Sequence, residues 1–204
     1  MHRSMTGRLA SSVALSLCVI PTLSASAQAP LPSTGGQLLY SLEPVLSKVN
    51  ARVGFLGLAS KTARFPKASG KIVLSPKRLD TIQLNVDLDA TALAAGDTVT
   101  LARLKGPDFF DVERHPMVRF VGRTMAMTGP VTAQINGDLT AKGITRPVVL
   151  AVSFRKPPAS ATGEEPIQLT AQAKIDCTEF GMKAYRFIVA KTVTITINAQ
   201  MVPR

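Results

Sequence analysis

Hydrophobic and polar residues alternate strictly along much of the segment 131–154, which reads VTAQINGDLTAKGITRPVVLAVSF. An alternation with a period of two predicts β-strands that have one dry face and one wet face. The pattern is interrupted between Ala141 and Pro147, where Gly143 is free to adopt a positive φ and Pro147 has no N–H to donate. We interpret the segment as a β-hairpin whose second strand begins at Pro147.

The same alternation recurs along the chain and predicts about eight strands with no long helix. Besides the hairpin, strands are expected near residues 38–42, 49–55, 71–74, 82–88, 118–122, 167–175 and 193–201. The alternation is lost between Thr91 and Pro116, where Thr98–Lys105 is expected to form two turns of helix capped by Asp97. This pattern predicts an all-β, antiparallel sandwich or barrel with a short helical insertion. A barrel of about eight strands is either filled by its own side chains or holds one small ligand.

The first residues have the features of an export signal rather than of a folded element. Arg3 and Arg8 form a basic start, an interrupted apolar run follows, and small residues before position 28 fit a signal-peptidase site. We expect a signal peptide over 1–27, with cleavage after Ala29 as the alternative, and therefore a periplasmic or secreted protein. Residues 28–37, rich in Pro, Gly and small polar residues, are expected to form a flexible linker before a barrel domain at 38–204.

Removing the signal peptide changes what the composition implies. The mature chain would keep 177 of the 204 residues, which suits one domain, and losing Arg3 and Arg8 lowers the formal charge from +11 to +9. Cys177 and His115 would be the remaining cysteine and histidine, so an intramolecular disulfide is excluded and a histidine metal cluster is not expected. No G-x-S-x-G motif occurs in the sequence. We therefore predict a protein that is not an enzyme and needs no cofactor.

The positive charge leaves two interpretations open. Aromatic residues make up 5% of the chain and Trp is absent, which disfavours a nucleic-acid partner. The basic residues are densest between Lys61 and Arg78, and this segment could contact an anionic membrane surface weakly. Alternatively, it forms only a solvated face.

Three motifs together resemble the YceI-like family of periplasmic lipid- and polyisoprenoid-binding proteins. They are PDFFDV at 107–112 followed by HP, GDLTAKGITRPV at 137–148, and DCTEFGM at 176–182. The resemblance implies a lipocalin-like barrel from about residue 38 onwards, with a channel for one isoprenoid-type chain and neither a metal nor a covalent cofactor. This sequence departs from the family pattern at Phe55, at Thr100–Leu101 and at Cys177, where the family often has more polar residues. The departures favour a lipid with a neutral or differently polar head group.

We therefore expect an exported carrier of a long apolar lipid, such as a polyisoprenoid or a quinone-like lipid. The alternative is a solid-core barrel that acts through its basic surface. Phe109 and Phe110 are expected to divide between the barrel core and a lid at its mouth, and Arg146 either binds a phosphate head group or forms a salt bridge. The residues expected to line the apolar channel are Phe55, Ile72, Leu84, Val86, Phe109, Phe110, Phe120, Ile135, Leu139, Val148, Leu150, Phe180 and Ile195.

Overall fold

The computed structural model describes residues 36–57, 59–185 and 187–204, and within them the chain forms ten β-strands and one α-helix. The predicted signal peptide and most of the predicted linker lie outside the described residues. The strands are β1 (Leu38–Leu42), β2 (Lys48–Phe55), β3 (Ala59–Phe65), β4 (Ala68–Leu74), β5 (Gln83–Asp89), β6 (Met117–Met127), β7 (Thr132–Ala141), β8 (Ile144–Phe154), β9 (Ile167–Asp176) and β10 (Val189–Pro203), and the helix is α1 (Thr98–Lys105).

The ten strands pair as an eight-stranded closed barrel. β1 and β2 both pair with the single strand β10, so that Tyr40 lies opposite Pro203 and Val49 lies opposite Ile197. β3 pairs with β2 and β4 pairs with β1, and only residues 66–67 separate β3 from β4. β1–β2 and β3–β4 thus act as two long interrupted strands. From β4 to β10 each strand pairs with the next, always antiparallel, and β10 closes on β1–β2. The predicted antiparallel barrel is confirmed.

The β7–β8 hairpin is tighter than the sequence pattern suggested. Its turn consists of Lys142 and Gly143, with φ angles of 50° and 73°, which is the left-handed pair that a two-residue hairpin favours. Pro147 therefore does not begin the second strand but lies inside β8, opposite Asp138. The structure explains this, because β9 pairs with β8 only from Ala151 onwards, and a missing N–H costs least where a strand has one neighbour.

Helix α1 has the predicted bounds and the predicted cap. The Asp97 carboxylate accepts a hydrogen bond from the Thr100 backbone N–H at 2.7 Å, and the Gly106 N–H closes the last turn on Ala102. No helix among the described residues is both long and apolar enough to cross a membrane. Strand β3, which the sequence did not predict, has only Ala63 and Phe65 as buried residues, so its apolar face is too short to show a clear period.

Glycine lets an aromatic ring lie across the barrel interior. Gly137 of β7 lies opposite Gly122 of β6, and a Cβ on Gly137 would lie 2.6 Å from the Phe120 ring and 2.4 Å from the Val121 carbonyl oxygen. Atoms cannot approach so closely, so the Phe120 ring occupies the space that any side chain at 137 would need. The inward rows of apolar residues from all ten strands surround this point and form the core.

Candidate functional site

The barrel interior contains a cavity of about 160 Å³. The inward rows of the strands line it, together with Phe110 from the insertion and residues 177–182 after β9. Ser47 and Cys177 are polar, and every other lining residue has an apolar side chain. The inner wall therefore offers an apolar surface within a closed sheet.

Neither polar residue brings charge to the cavity. The Ser47 hydroxyl accepts a hydrogen bond from the Gln200 backbone N–H at 3.2 Å. Burial raises the pKa of the Cys177 thiol, and the neighbouring Asp176 carboxylate raises it further, so the thiol stays neutral. A charged ligand group would lose its hydration here without gaining a partner. The cavity therefore fits an uncharged apolar chain.

Eleven of the thirteen residues expected to line the channel do face this cavity. They are Ile72, Leu84, Val86, Phe110, Phe120, Ile135, Leu139, Val148, Leu150, Phe180 and Ile195. That these residues bind a ligand stays a prediction. Sequence reasoning missed Ser47 and Met182, because both lie in irregular segments without periodicity. Leu169, Ala171 and Ile197 were also left out, although they belong to the alternating rows of β9 and β10.

Phe55 and Phe109 were wrongly placed in the channel, because they line a second, external cleft. The insertion after β5 separates the two spaces: Phe110 faces the cavity, whereas Leu104 and Phe109 face the cleft. Phe55 continues the inward row of β2, but it lies beyond this insertion, where β10 shifts register between Val189 and Val193.

The adjacent phenylalanines of the insertion thus point into different spaces. Phe110 packs edge-on against Phe65, with 5.6 Å between ring centroids, and bounds the cavity at this end of the barrel. Phe109 stacks on Tyr185 at 6.2 Å. One of the two therefore belongs to the core, as expected, and it is Phe110; a lid role for Phe109 stays a prediction.

The second cleft has a volume of about 260 Å³, and both aromatic and charged side chains line it. Lys61 Nζ lies 2.8 Å from Asp97 Oδ2, and this hydrogen bond, with those from Thr100, holds the pKa of the Asp97 carboxyl well below its usual range. The Arg103 guanidinium lies 4.9 Å from the centre of the Tyr185 ring, within the range of a cation–π contact. Among the described residues, no carboxylate forms an ion pair with Arg103.

Phe180 reaches the cavity through a turn rather than through a strand. Residues Cys177–Phe180 form one short 3₁₀ turn, and Gly181 reverses the chain with a φ of 76°. The Phe180 side chain is almost completely buried, and Met182 follows it into the cavity wall. The third sequence motif, residues 176–182, thus forms one side of the cavity near the half of β8 that does not pair with β9.

Arg146 does not line the cavity. It lies opposite Leu139 in the β7–β8 register, at the rim of the barrel, and its Nη1 donates to the Thr145 carbonyl at 3.0 Å. In the part of the chain that the structure describes, it forms no salt bridge, so that expectation was wrong. Contact with a head group stays a prediction. The basic segment from Lys61 to Arg78 is not one patch, because it follows β3 and β4 from one end of the barrel to the other.

The described residues contain no cluster of metal-ligating side chains. No three of their His, Cys, Asp or Glu side chains lie close enough together to hold a metal ion. The His115 ring packs against Gly143, and its Cε1 lies 2.8 Å from where a Cβ would be, so the histidine fills the space of the missing side chain.

A family model described as the YceI-like domain matches residues 40–201 of the chain. The chain belongs to this family. Among curated relatives of this YceI-like chain, a UPF0312 protein of Pseudomonas putida (strain GB-1) is 26% identical over 135 residues, which cover 66% of this chain and 70% of the relative. A UPF0312 protein of Ectopseudomonas mendocina is 28% identical over 106 residues, covering 52% and 56%.

Solved structures agree on the fold. BcnA of Burkholderia cenocepacia superposes with a TM-score of 0.69 at 21% identity, over 78% of this chain and 98% of BcnA. A polyisoprenoid-binding domain from Saccharophagus degradans gives a TM-score of 0.64 at 14% identity, over 82% and 99%. At these identities the likeness establishes a common barrel for the YceI-like chain and these proteins.

Proposed function

We propose that this YceI-like protein is exported and holds the apolar chain of one long lipid, a polyisoprenoid or a quinone-like lipid, inside its barrel. The observation that carries the proposal is the cavity, which a closed sheet surrounds with apolar side chains. The family match and the polyisoprenoid-binding domain of Saccharophagus degradans support the same ligand class. Export is supported by the basic, apolar and small-residue pattern of residues 1–29.

The proposed mechanism is burial rather than chemistry. Each methylene group that leaves water contributes about 0.8 kcal/mol. The 11 residues of β8 span roughly 36 Å at 3.3 Å per residue, and a strand tilt of about 40° leaves a barrel height of roughly 28 Å. A long chain thus gains binding energy in proportion to the length that it buries, while an apolar wall adds little preference for a head group.

The polar head group of such a lipid stays at an end of the cavity. None of the described residues that line the inner wall carries a charge, so a phosphate drawn into the barrel would remain unpaired. A neutral or weakly polar head group loses less hydration free energy there. The alternative of a solid-core barrel that works only through its surface is not favoured, because the interior retains an empty apolar space.

Uptake of a fluorescent isoprenoid delivered from cyclodextrin tests the proposal, with displacement by unlabelled polyprenols and quinones. We expect saturable binding of one molecule per protein. Ile135→Arg should abolish it, because the guanidinium would lie in the cavity without a partner. Gln134→Arg, one residue away on the exposed face of β7, is the matched control and should bind normally. Uptake that does not saturate, or a folded Ile135→Arg protein that loads normally, would contradict the proposal.

A further inference from the structure

Exposed apolar side chains cluster around the second cleft, at one end of the barrel. Leu56 lies in the β2–β3 turn, Phe187 lies in the loop before β10, and Val99 lies on α1. The two loops are neighbours, because the Leu56 N–H donates to the Ile188 carbonyl at 2.8 Å. Their side chains nevertheless project into solvent, and Phe187 is fully exposed. Apolar side chains grouped in this way usually mark a contact surface.

The backbone at this surface adopts conformations that apolar residues seldom choose. Leu56 has a φ of 52° and Tyr185 has a φ of 56°, both in the left-handed region where glycine or asparagine is usual. Such a conformation has a cost, which an asparagine or glycine at these positions would lower. Unusual backbone of this kind is typical of functional surface positions, which is consistent with a role for this surface.

The charges near the loops have a small positive excess, with three cations against two acids. Lys61 and Asp97 neutralise each other, whereas Arg103 lies over Tyr185 without an acidic partner among the described residues. Exposed Lys183 lies two positions before Tyr185 in the sequence, and exposed Asp108 immediately precedes Phe109. A surface of exposed apolar loops flanked by cations matches an anionic bilayer, in which rings and aliphatic chains enter the interface and cations meet the head groups.

We propose that this end of the barrel, which we call the docking tip (Leu56, Val99, Arg103, Tyr185 and Phe187), inserts into the surface of an anionic membrane. This inference rests on the proposed function, because a lipid carrier must meet the bilayer to load or release its ligand. The docking tip borders the cleft that Phe109 lines, and the adjacent Phe110 lines the cavity. Docking therefore brings the membrane to the end of the barrel that Phe110 bounds.

Co-sedimentation with vesicles tests the apolar part of the docking tip. The vesicles contain either phosphatidylglycerol and phosphatidylethanolamine or phosphatidylcholine alone. The wild-type protein should bind the anionic vesicles, and the double substitution Leu56→Ser with Phe187→Ser should weaken binding at least tenfold. Val45→Ser with Leu46→Ser is the matched control, because these residues are 85% and 56% exposed in the β1–β2 connection. The control should remain within twofold of the wild type.

A charge variant tests the cationic part. Arg103→Gln should weaken binding to anionic vesicles severalfold and leave phosphatidylcholine unaffected, whereas Lys77→Gln, beyond the far end of β4, should change neither. Added salt should reduce binding of the wild type more than that of Arg103→Gln. Equal vesicle binding by the Leu56/Phe187 variant and the wild type would overturn the proposal, as would an equal loss in the Val45/Leu46 control. Wild-type protein that ignores both vesicles would also overturn it and would leave this surface to a protein partner.

Loading without membranes separates this inference from the proposed function. The Leu56/Phe187 variant should take up a fluorescent isoprenoid from cyclodextrin as the wild type does, because neither residue lines the cavity. Failure of the wild type to load from cyclodextrin would refute the carrier function even if vesicle binding persisted. Normal loading combined with unchanged vesicle binding by the variant would refute the docking tip alone.

Discussion

A single substitution in the middle of β9 should shorten the space available to a bound chain. Ala171 lies between Val152 of β8 and Ile197 of β10, and its side chain faces the cavity. In Ala171→Phe the ring would occupy space that a bound lipid needs. We expect the variant to fold, because the ring points into the cavity. The extra volume should still lower the free energy of unfolding by about 1–3 kcal/mol.

The expected loss of affinity follows from the length that the ring blocks. A phenyl ring displaces about four methylene groups of an extended chain, and at about 0.8 kcal/mol each this amounts to about 3 kcal/mol. Because 1.4 kcal/mol corresponds to a factor of ten, binding of a long isoprenoid should weaken about 100-fold. A short isoprenoid that fits on one side of the ring should lose much less.

Fluorescence titrations with isoprenoids of increasing length measure this difference. Ala151→Phe is the matched control, because Ala151 lies on β8 beside Gln172 and its side chain is exposed on the outer face. The control should bind every chain length as the wild type does. If folded Ala171→Phe binds the long chain with wild-type affinity, the chain does not lie along the barrel axis and the reasoning is refuted.

Three further perturbations test other parts of the structure. Gly137→Ala should lower the free energy of unfolding by about 1–3 kcal/mol in urea titrations, because the new Cβ would overlap the Phe120 ring, whereas Gly96→Ala meets nothing within 4 Å and should be neutral; equal stability of the two would contradict this packing. Asp97→Asn keeps the helix cap but removes the charge that pairs with Lys61. Because the pKa of Asp97 is lowered in the folded protein, its carboxylate stabilises the fold above about pH 4, and this contribution is lost as the pH falls. The melting temperature of the variant should therefore vary less between pH 2 and 5 than that of the wild type, and an unchanged profile would count against the ion pair. The buried Cys177 thiol, with its raised pKa, should react slowly with a disulfide reagent at pH 8 and more slowly still once an isoprenoid is bound, whereas a rate that ignores the lipid would place the lipid elsewhere.

The strands were predictable where one face is dry and the other is wet along their whole length. β7 is the clearest case, because Ala133, Ile135 and Leu139 are buried while Gln134 and Asn136 are exposed. β3 escaped prediction because it lies beside the cleft, where few of its side chains are covered. An alternating sequence pattern arises from burial of one strand face and not from hydrogen bonding. A strand without a buried face therefore cannot be predicted from it.

The site was predictable as far as it follows the alternation. Inward positions on regular strands lined the cavity as expected, but periodicity does not distinguish a lined cavity from a solid core, since both require apolar inward residues. The insertion had no period at all, and its path decided that Phe110 faces the cavity and Phe109 the cleft. Pro147 was misplaced for a similar reason, because the partial pairing of β8 with β9 leaves no local trace in the sequence.

Mass spectrometry tests directly whether the barrel carries a lipid. The mature protein would be purified without detergent from the compartment to which it is exported, and then extracted with organic solvent. We expect a single class of long-chain, isoprenoid-type lipid in near-equimolar amount. An empty extract from a folded protein that also fails to take up added isoprenoids would contradict it.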